Sequence, residues 1–308
     1  MENHSALILL RNSLIMQVGR LKTRLMTEAI YADIQYLGQF EGPAVHHVYP
    51  RSTGRSTRRP PNESIRVPVI DARPDLDAYT LDKHGFAFAS APSEIAHRGM
   101  TYFHEHPDEV KSDYYAECAE LVMSHTGAGQ VIAFDHNLRS RQSAEQGLTN
   151  MNEPVRFCHN DYTHESGPRR LRALLGDNSV EPMTHRYAFI NVWRPLMEPV
   201  MDKPLALCVA SHLDNKELIR TEIRHYKQEN LDEPAHIGEI YSIRHNPGHQ
   251  WVYLSEMQID EVIFVKCYDS IEDGRARFTP HTAIDLPSLN DETPARESIE
   301  VRTVAFFD

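Results

Sequence analysis

The chain has 308 residues, of which 41% are hydrophobic and 25% are charged, and its formal net charge is −12 with histidine neutral. This composition is that of a globular protein with a substantial core, and we expect one domain covering residues 1–308. The acidic balance argues against a nucleic-acid backbone as the main partner. No apolar run approaches the roughly 20 residues that cross a membrane, so no membrane partner is expected.

The N-terminal 129 residues are predicted to flank the core. We interpret residues 1–30 as an N-terminal extension, because their basic residues follow the apolar run and a secretory signal has the opposite order. Strand-like runs cover residues 31–37, 44–49, 65–70 and 85–89. A helix is predicted over 107–124, where an early proline and acidic residues precede apolar residues at three- and four-residue spacing.

Residues 130–308 contain eight strand-like runs separated by turn formers. These runs cover residues 131–136, 155–162, 187–193, 205–210, 240–245, 262–268, 279–284 and 298–307. Eight strands suit two four-stranded sheets packed face to face as a jelly roll, so the predicted fold is mainly β with flanking helices. Two further helices are predicted, near 168–175 and 215–228.

The cysteines are widely spaced, and none forms a Cys-x-x-Cys pair: Cys118, Cys158, Cys208 and Cys267. This spacing predicts neither a disulfide framework nor a thiolate zinc site, and it favours a reducing, cytoplasmic location.

A His-x-Asp pair, which can bind a metal ion, occurs three times, at residues 106–108, 159–161 and 212–214. The first pair lies at a predicted helix start, where capping or the helix dipole explains Asp108. The third pair also lies at a predicted helix start, and on a helix two residues that are two apart diverge by about 200°. The second lies in a strand-like run, where alternation directs His159 and Asp161 to the same face. We therefore select His159 and Asp161 as metal ligands.

The third ligand should be a histidine on a later strand. His281 lies on the seventh predicted strand and is our choice. His245 and His249 are rivals that flank the turn signature at 246–248, and His136 on the first strand is expected to form a wall of the pocket. Two histidines and one carboxylate form the facial triad of non-haem Fe(II) oxygenases. Histidines that serve only the core or the surface are the alternative explanation, so further features are needed.

The last predicted strand carries Arg296, Ser298, Glu300 and Arg302 on one face. An arginine with a serine two residues on can bind a carboxylate through several hydrogen bonds, as expected for the far end of 2-oxoglutarate. Arg296 is nearer in sequence to His281 than Arg302 is, and we prefer it. The alternative is a strand face of salt bridges with the neighbouring glutamates.

From about residue 66 to the C-terminus the chain resembles the AsaB-like 2-oxoglutarate/Fe(II)-dependent hydroxylases and desaturases, a group that includes gibberellin desaturase and cephamycin-cluster homologues. The motifs are VIDAR (69–73), LDKHGF (81–86), FDHNLR (134–139), HNDYT (159–163), NVWRP (191–195), CYDS (267–270), PHT (280–282) and RESIE (296–300). The resemblance implies a double-stranded β-helix with iron on His159, Asp161 and His281. It also implies 2-oxoglutarate and dioxygen as co-substrates.

The expected function is hydroxylation, desaturation or cyclisation of a small specialised metabolite, with release of succinate and CO2. Four residues are candidates for the substrate pocket: His136, Arg139, Asn191 and Trp193. Two alternatives stay open: a cupin-type protein that binds a metal or small ligand without oxidising it, and a non-haem iron oxidase that does not use 2-oxoglutarate. The substrate is not predicted, and a homo-oligomer is compatible with the sequence.

Overall fold

The structure is a computed structural model that describes residues 29–148, 151–176, 181–287, 290 and 292–308. Nearly all of the predicted N-terminal extension lies outside these residues. No helix in the described ranges is long and apolar enough to cross a bilayer.

The described strands are β1 (Ile30–Leu37), β2 (Ala44–Val48), β3 (Asn62–Asp71), β4 (Phe86–Ser90), β5 (Gln130–Ser140), β6 (Met151–Asn152), β7 (His159–Asn160), β8 (Tyr187–Pro195), β9 (Leu205–Cys208), β10 (Leu218–His225), β11 (His236–Ile243), β12 (Trp251–Tyr253), β13 (Glu261–Asp269), β14 (His281–Ala283) and β15 (Glu297–Phe306). The α-helices are α1 (Leu81–His84), α2 (Gly99–Glu105), α3 (Pro107–Glu109), α4 (Tyr115–Thr126), α5 (Arg141–Glu145) and α6 (Ser166–Leu175). A π-helical turn, Val110–Tyr114, joins α3 to α4. The 3-10 turns are Arg51–Thr53, Leu76–Ala78, Ala96–Arg98, Pro182–Thr184, Ala210–His212 and Asn215–Glu217.

The strands form two sheets. Sheet A has the order β1-β3-β12-β9-β14-β7-β11-β10-β2, and sheet B has the order β4-β13-β8-β15-β5-β6. The eight predicted core strands are divided equally, with β9, β14, β7 and β11 adjacent in sheet A and β13, β8, β15 and β5 adjacent in sheet B. This interleaving of early and late strands is that of a double-stranded β-helix, and the predicted fold class is confirmed.

The predicted sheet sizes are wrong, because the described sheets have nine and six strands rather than four each. The N-terminal strands β1, β2 and β3 extend both edges of sheet A, and β4 and β6 lie at the edges of sheet B. The flanking strands therefore continue the same hydrogen-bonded ladders as the core strands.

The helix predicted over 215–228 is wrong. Asp214 and Glu217 do form a capping box, but it begins only the 3-10 turn Asn215–Glu217. The chain then continues as strand β10, where Ile219, Thr221 and Ile223 are β-branched and suit the pleated backbone. The capping residues therefore correctly indicate the start of a helical turn, but the prediction wrongly continues that turn as a helix to residue 228. The helices predicted over 107–124 and 168–175 are confirmed.

Apolar side chains pack in two layers. The inner layer lies between the sheets and includes Trp251 from sheet A and Phe189 from sheet B. The outer layer lies between sheet B and the helices and includes Val301 and Tyr114. Each fully buried large apolar side chain contributes roughly 1.5–3 kcal/mol. Sheet B is therefore covered on both faces, which fixes the orientation of every side chain on β8 and β15.

Candidate metal centre

Two histidines and an aspartate converge at the middle of sheet A. His159 on β7 and His281 on β14 lie directly opposite each other in the ladder, and their ring centroids are 4.6 Å apart. Asp161 follows β7, and its Oδ1 lies 3.6 Å from His159 Nε2 and 3.9 Å from His281 Nε2. One ligand atom from each residue lies within 4.8 Å of the other two. The predicted triad is therefore assembled.

Backbone carbonyl groups orient both imidazoles. His159 Nδ1 is 2.9 Å from the Phe157 carbonyl oxygen, and His281 Nδ1 is 2.9 Å from the Thr279 carbonyl oxygen. A carbonyl oxygen can only accept, so each Nδ1 carries the proton and each Nε2 presents a lone pair. Both lone pairs lie on the side of Asp161, as metal coordination requires.

The charge states of the ligands also suit a metal ion. Burial, reinforced by the neighbouring His281, lowers the pKa of His159 to about 3, so this imidazole is neutral near neutral pH. Burial tends to raise the pKa of Asp161, but the two histidines outweigh it and the pKa falls below its usual range. A neutral imidazole and an ionised carboxylate are the forms that bind a metal.

Asn191 on β8 holds the triad against sheet B. Its Nδ2 donates to Asp161 Oδ2 and to Glu300 Oε1, and both distances are 2.8 Å. Asn191 and Glu300 are fully or almost fully buried. A single amide therefore fixes the orientation of a ligand carboxylate and separates it from a second carboxylate.

A cavity extends from the triad toward the start of β15. Its walls include His159, His281, Arg139, Trp193, Arg296 and Glu300. Arg296 Nε and Ser298 Oγ are buried and have no hydrogen-bond partner among the described residues. Burial, with Arg139 as a second cause, lowers the pKa of Arg296 to about 9, so its guanidinium keeps its charge at neutral pH. The charged Arg296 and the neutral Ser298, two residues apart in sequence, thus each have one buried donor without a partner among the described residues.

A second, larger opening lies on the other side of Asp161, and we call it the outer chamber. Apolar residues of β10 and β11 form one wall, including Ile223, Ile237 and Ile240. Arg169 and Arg170 of α6 form the opposite wall, and Arg302 also lines the chamber. The triad therefore lies between a small cavity with two arginines and an open chamber of mixed polarity.

Comparisons with known proteins identify the family. Residues 34–306 match a family model described as the YDMC oxidoreductase/YMDC permease-like domain. The Fe(II)/2-oxoglutarate-dependent dioxygenase nvfI of Aspergillus novofumigatus is 32% identical over 244 residues, which cover 78% of this chain and 83% of that protein. The hydroxylase/desaturase asaB of Aspergillus flavus is 42% identical over 130 residues, covering 40% of this chain and 56% of that protein.

A solved structure agrees with these sequence matches. The iron and alpha-ketoglutarate-dependent endoperoxidase NvfI superposes with a TM-score of 0.78 at 27% identity, covering 91% of this chain and 98% of that one. The chain belongs to the Fe(II)/2-oxoglutarate-dependent dioxygenases. The predicted AsaB-like family, enzyme class and cofactors (Fe(II), 2-oxoglutarate and dioxygen) are confirmed. The cupin-type binding protein and the oxidase without 2-oxoglutarate are set aside.

Of the residues predicted for the substrate pocket, Trp193 and Arg139 lie beside the triad, but His136 does not. Trp193 and Arg139 line the cavity with Arg296. His136 lies on the opposite face of sheet B, where its Nδ1 is 2.8 Å from Tyr115 Oη. Strand β5 has a register irregularity opposite Arg302 and Thr303. This extra residue reverses the alternation, so the structure does not bring His136 to the site.

The remaining candidates have other partners. Arg302 Nε donates to Asp135 on the outer-chamber side, and Arg302 does not line the cavity of Arg296. His249 Nε2 is 2.9 Å from Glu217, and the His245 ring lies 5.0 Å from that of Tyr36. These contacts give both rival histidines structural roles.

Sequence reasoning missed most of the outer chamber of the dioxygenase. Arg169 and Arg170 lie on a predicted helix, but nothing in their spacing connects them with Asp161. Ile223 was missed because its strand was predicted as a helix. Glu300 was placed on the correct face, but the hydrogen bond from Asn191 depends on the pairing of β8 with β15, which local patterns do not contain.

Proposed function

We propose that His159, Asp161 and His281 bind Fe(II), and that Arg296 and Ser298 bind the far carboxylate of 2-oxoglutarate. The substrate is a small specialised metabolite that enters through the outer chamber. One observation carries this proposal: a single cavity is lined by His159 and His281 of the triad and by Arg296. In this arrangement 2-oxoglutarate spans the cavity, and the substrate approaches from the opposite side of the metal.

The residues present suit both groups. Two imidazole nitrogens and one carboxylate oxygen are the ligand set of non-haem Fe(II) enzymes, and they leave positions free for co-substrates. The orphaned donors of Arg296 and Ser298 need acceptors in a buried site, and a carboxylate supplies them. Arg302 is already paired with the carboxylate of Asp135, whereas among the described residues the Arg296 side chain donates only to the neutral carbonyl oxygen of Lys203 and keeps its Nε without a partner, which supports the choice of Arg296.

When bound, iron with 2-oxoglutarate and dioxygen supplies the oxidant that removes hydrogen from a C–H bond, leaving succinate and CO2. The residues of the chain orient the metal ligands and exclude water from the cavity. Asn191 holds Asp161 in one orientation, and Trp193, whose ring lies 5.3 Å from the Arg296 guanidinium carbon, closes the cavity against water. Ile223 and Ile237 provide apolar surface for the substrate. Holding the substrate carbon close to the metal is the main contribution of these walls.

The reaction is proposed as hydroxylation, desaturation or cyclisation. The activities for which two relatives are named, hydroxylase/desaturase and endoperoxidase, support an oxidation of this kind. We further propose one oxygenase domain over residues 1–308, in which 1–30 are an extension, 31–129 flank the core and 130–308 form the double-stranded β-helix. The single family match over 34–306 supports one domain. Four buried cysteines without disulfides support a cytoplasmic location.

The test is succinate formation from 2-oxoglutarate with added Fe(II) in air. His159→Ala and Asp161→Ala are expected to abolish succinate formation and Mn(II) binding, because each removes one of three ligands. His185→Ala is the matched control, since His185 is exposed and lies outside the site. If either ligand variant keeps wild-type turnover, the triad assignment is wrong.

Arg296→Met tests the co-substrate end of the proposal. Loss of the Arg296 guanidinium removes charge-assisted hydrogen bonds to a carboxylate. The 2-oxoglutarate concentration for half-maximal succinate formation should therefore rise by roughly 10- to 150-fold. Mn(II) affinity should not fall. An unchanged requirement for 2-oxoglutarate would place the anchor elsewhere, with Arg302 as the next candidate.

A further inference from the structure

The cavity contains a second arginine that the proposed function leaves without a role. Arg139 lies on β5 opposite Ser298 of β15, so both side chains leave the same face of sheet B. Its Nη1 donates to the Glu153 carbonyl oxygen at 2.9 Å, and the residue lines the cavity with Arg296 and Glu300. A guanidinium has five N–H donors in a rigid fork, so it can bind a ligand and Glu153 together.

The ladder places Arg139 between the metal centre and Arg296. Asn191, which holds Asp161, is opposite Arg302 on β15. Arg139 is opposite Ser298, four residues nearer to the start of the strand, and Arg296 follows two residues beyond. At about 3.3 Å per residue, Arg139 and Arg296 are about 7 Å apart along the strand direction, with Arg139 on the side of Asn191.

The two arginines lie close enough to affect each other. Arg139 is the second cause, after burial, of the low pKa of Arg296, and both arginines line the cavity that His159 and His281 also line.

The charges of the site also call for a second cation. Counting only Asp161 and the charged residues that line the cavity, Arg139 and Arg296 balance Glu300 and Asp161. Lys203 is paired with Asp202 at 3.0 Å and with Asp285 at 3.2 Å, and Arg302 is paired with Asp135. A bound Fe(II) then leaves two positive charges, which the two carboxylates of 2-oxoglutarate neutralise. Without Arg139, a buried dianion would face only one net positive charge, and burying unpaired charge is costly.

We propose that Arg139 binds the keto-acid carboxylate of 2-oxoglutarate, while Arg296 binds the far carboxylate. This inference rests on the proposed function. The two arginines then have separable effects: Arg296 selects for the second carboxylate, and Arg139 raises the affinity for any 2-oxo acid.

Two ligands separate these effects: 2-oxoglutarate, and 2-oxopentanoate, which has the same chain length but a methyl group in place of the far carboxylate. Dissociation constants are measured by calorimetry on the full chain loaded with Mn(II). Arg139→Gln is expected to weaken both ligands by a similar factor, roughly 10- to 150-fold, and to keep the preference for 2-oxoglutarate. Arg296→Met is expected to lose that preference. Arg66→Gln, at an exposed position, is the matched control.

Mn(II) binding without any 2-oxo acid distinguishes this role from a structural one. Removing a cation near the site lowers its repulsion of the metal, so Arg139→Gln should bind Mn(II) as tightly as wild type or a few-fold more tightly. Weaker binding of both Mn(II) and the 2-oxo acids would mean that Arg139 only supports the fold. Weaker binding of 2-oxoglutarate alone would place Arg139 at the far carboxylate. Unchanged binding of both 2-oxo acids would exclude contact. Each of these results overturns the proposal.

Arg139→Lys keeps the charge but loses the fork, and a partial loss for both ligands is expected. This variant decides the question if Arg139→Gln does not fold. A wild-type protein that binds Mn(II) but no 2-oxoglutarate would instead refute the proposed function, so the two failures are distinguishable.

Discussion

Replacement of Asn191 by leucine removes one amide from between the half-buried carboxylate of Asp161 and the buried carboxylate of Glu300. Leucine has nearly the shape of asparagine but cannot donate a hydrogen bond. Asp161 Oδ2 and Glu300 Oε1 then lose the donor that both now share at 2.8 Å. The free rotation of Asp161 and its repulsion from Glu300 should both increase, and both changes oppose metal binding.

The size of the effect follows from the two bonds. A hydrogen bond to a charged group contributes about 1.5–3 kcal/mol, so loss of the bond to Asp161 should raise the dissociation constant for Mn(II) by about 10- to 150-fold. Loss of a hydrogen-bond partner of a metal ligand typically costs about 10- to 100-fold in metal affinity, which overlaps this range. The bond to Glu300 should appear instead as lower folding stability of the metal-free protein, by about 1.5–3 kcal/mol.

Calorimetric titration with Mn(II) and urea unfolding of the metal-free protein measure the two effects separately. Thr303→Val is the matched control, because Thr303 is buried on the neighbouring strand β15 and its Oγ1 donates to the carbonyl oxygen of Ile190 on β8 at 2.6 Å. It should lose stability but keep metal affinity. A dissociation constant for Asn191→Leu within twofold of the wild type would refute the role of the amide.

Three further predictions concern stability. Burial and, as the second cause, the positive charge of Arg59 lower the pKa of His46 to about 4. Between pH 6.5 and 4 the unfolded chain therefore takes up a proton that the folded chain does not. Urea unfolding should show stability falling over this range by about 2–3 kcal/mol from this residue, and an equal pH slope in His46→Gln would contradict it. A Cβ at Gly167 would lie 2.7 Å from the Tyr268 ring, so Gly167→Ala should lose about 1–3 kcal/mol; an unchanged melting temperature would show that the ring moves freely. Mn(II) at about 100 times its dissociation constant should stabilise the wild type by about 2.7 kcal/mol, whereas His281→Ala should gain little, and equal protection of both would locate the ion elsewhere.

Much of the fold could be predicted because its core strands carry their own local signals. Alternating and β-branched residues marked all eight of them, and the His159–Asp161 pair was selected by strand alternation alone. The segment predicted as a strand over 155–162 nevertheless forms only the two-residue strand β7. The two ligands face one space because His159 is opposite His281, a long-range pairing.

The errors at the site have the same physical origin. Alternation gives the face of a residue only while the ladder is regular. In β5, Phe134 packs toward Phe189 in the inner core, but His136, two residues later, faces Tyr115. The irregularity responsible is defined by the partner strand β15, so residues 130–140 alone do not reveal it. Pairing between distant strands also determines the roles of Asn191 and Glu300.

The pairing of His159 directly opposite His281 affects how well the protein resists degradation. An ion held by both side chains joins the second and seventh core strands, so it acts as a reversible cross-link across more than 100 intervening residues. A chain without the ion samples open forms more often and is a better protease substrate. We therefore expect metal supply to set the abundance of this enzyme as well as its rate. An inactive ion such as Zn(II) should protect the chain from proteolysis while blocking turnover.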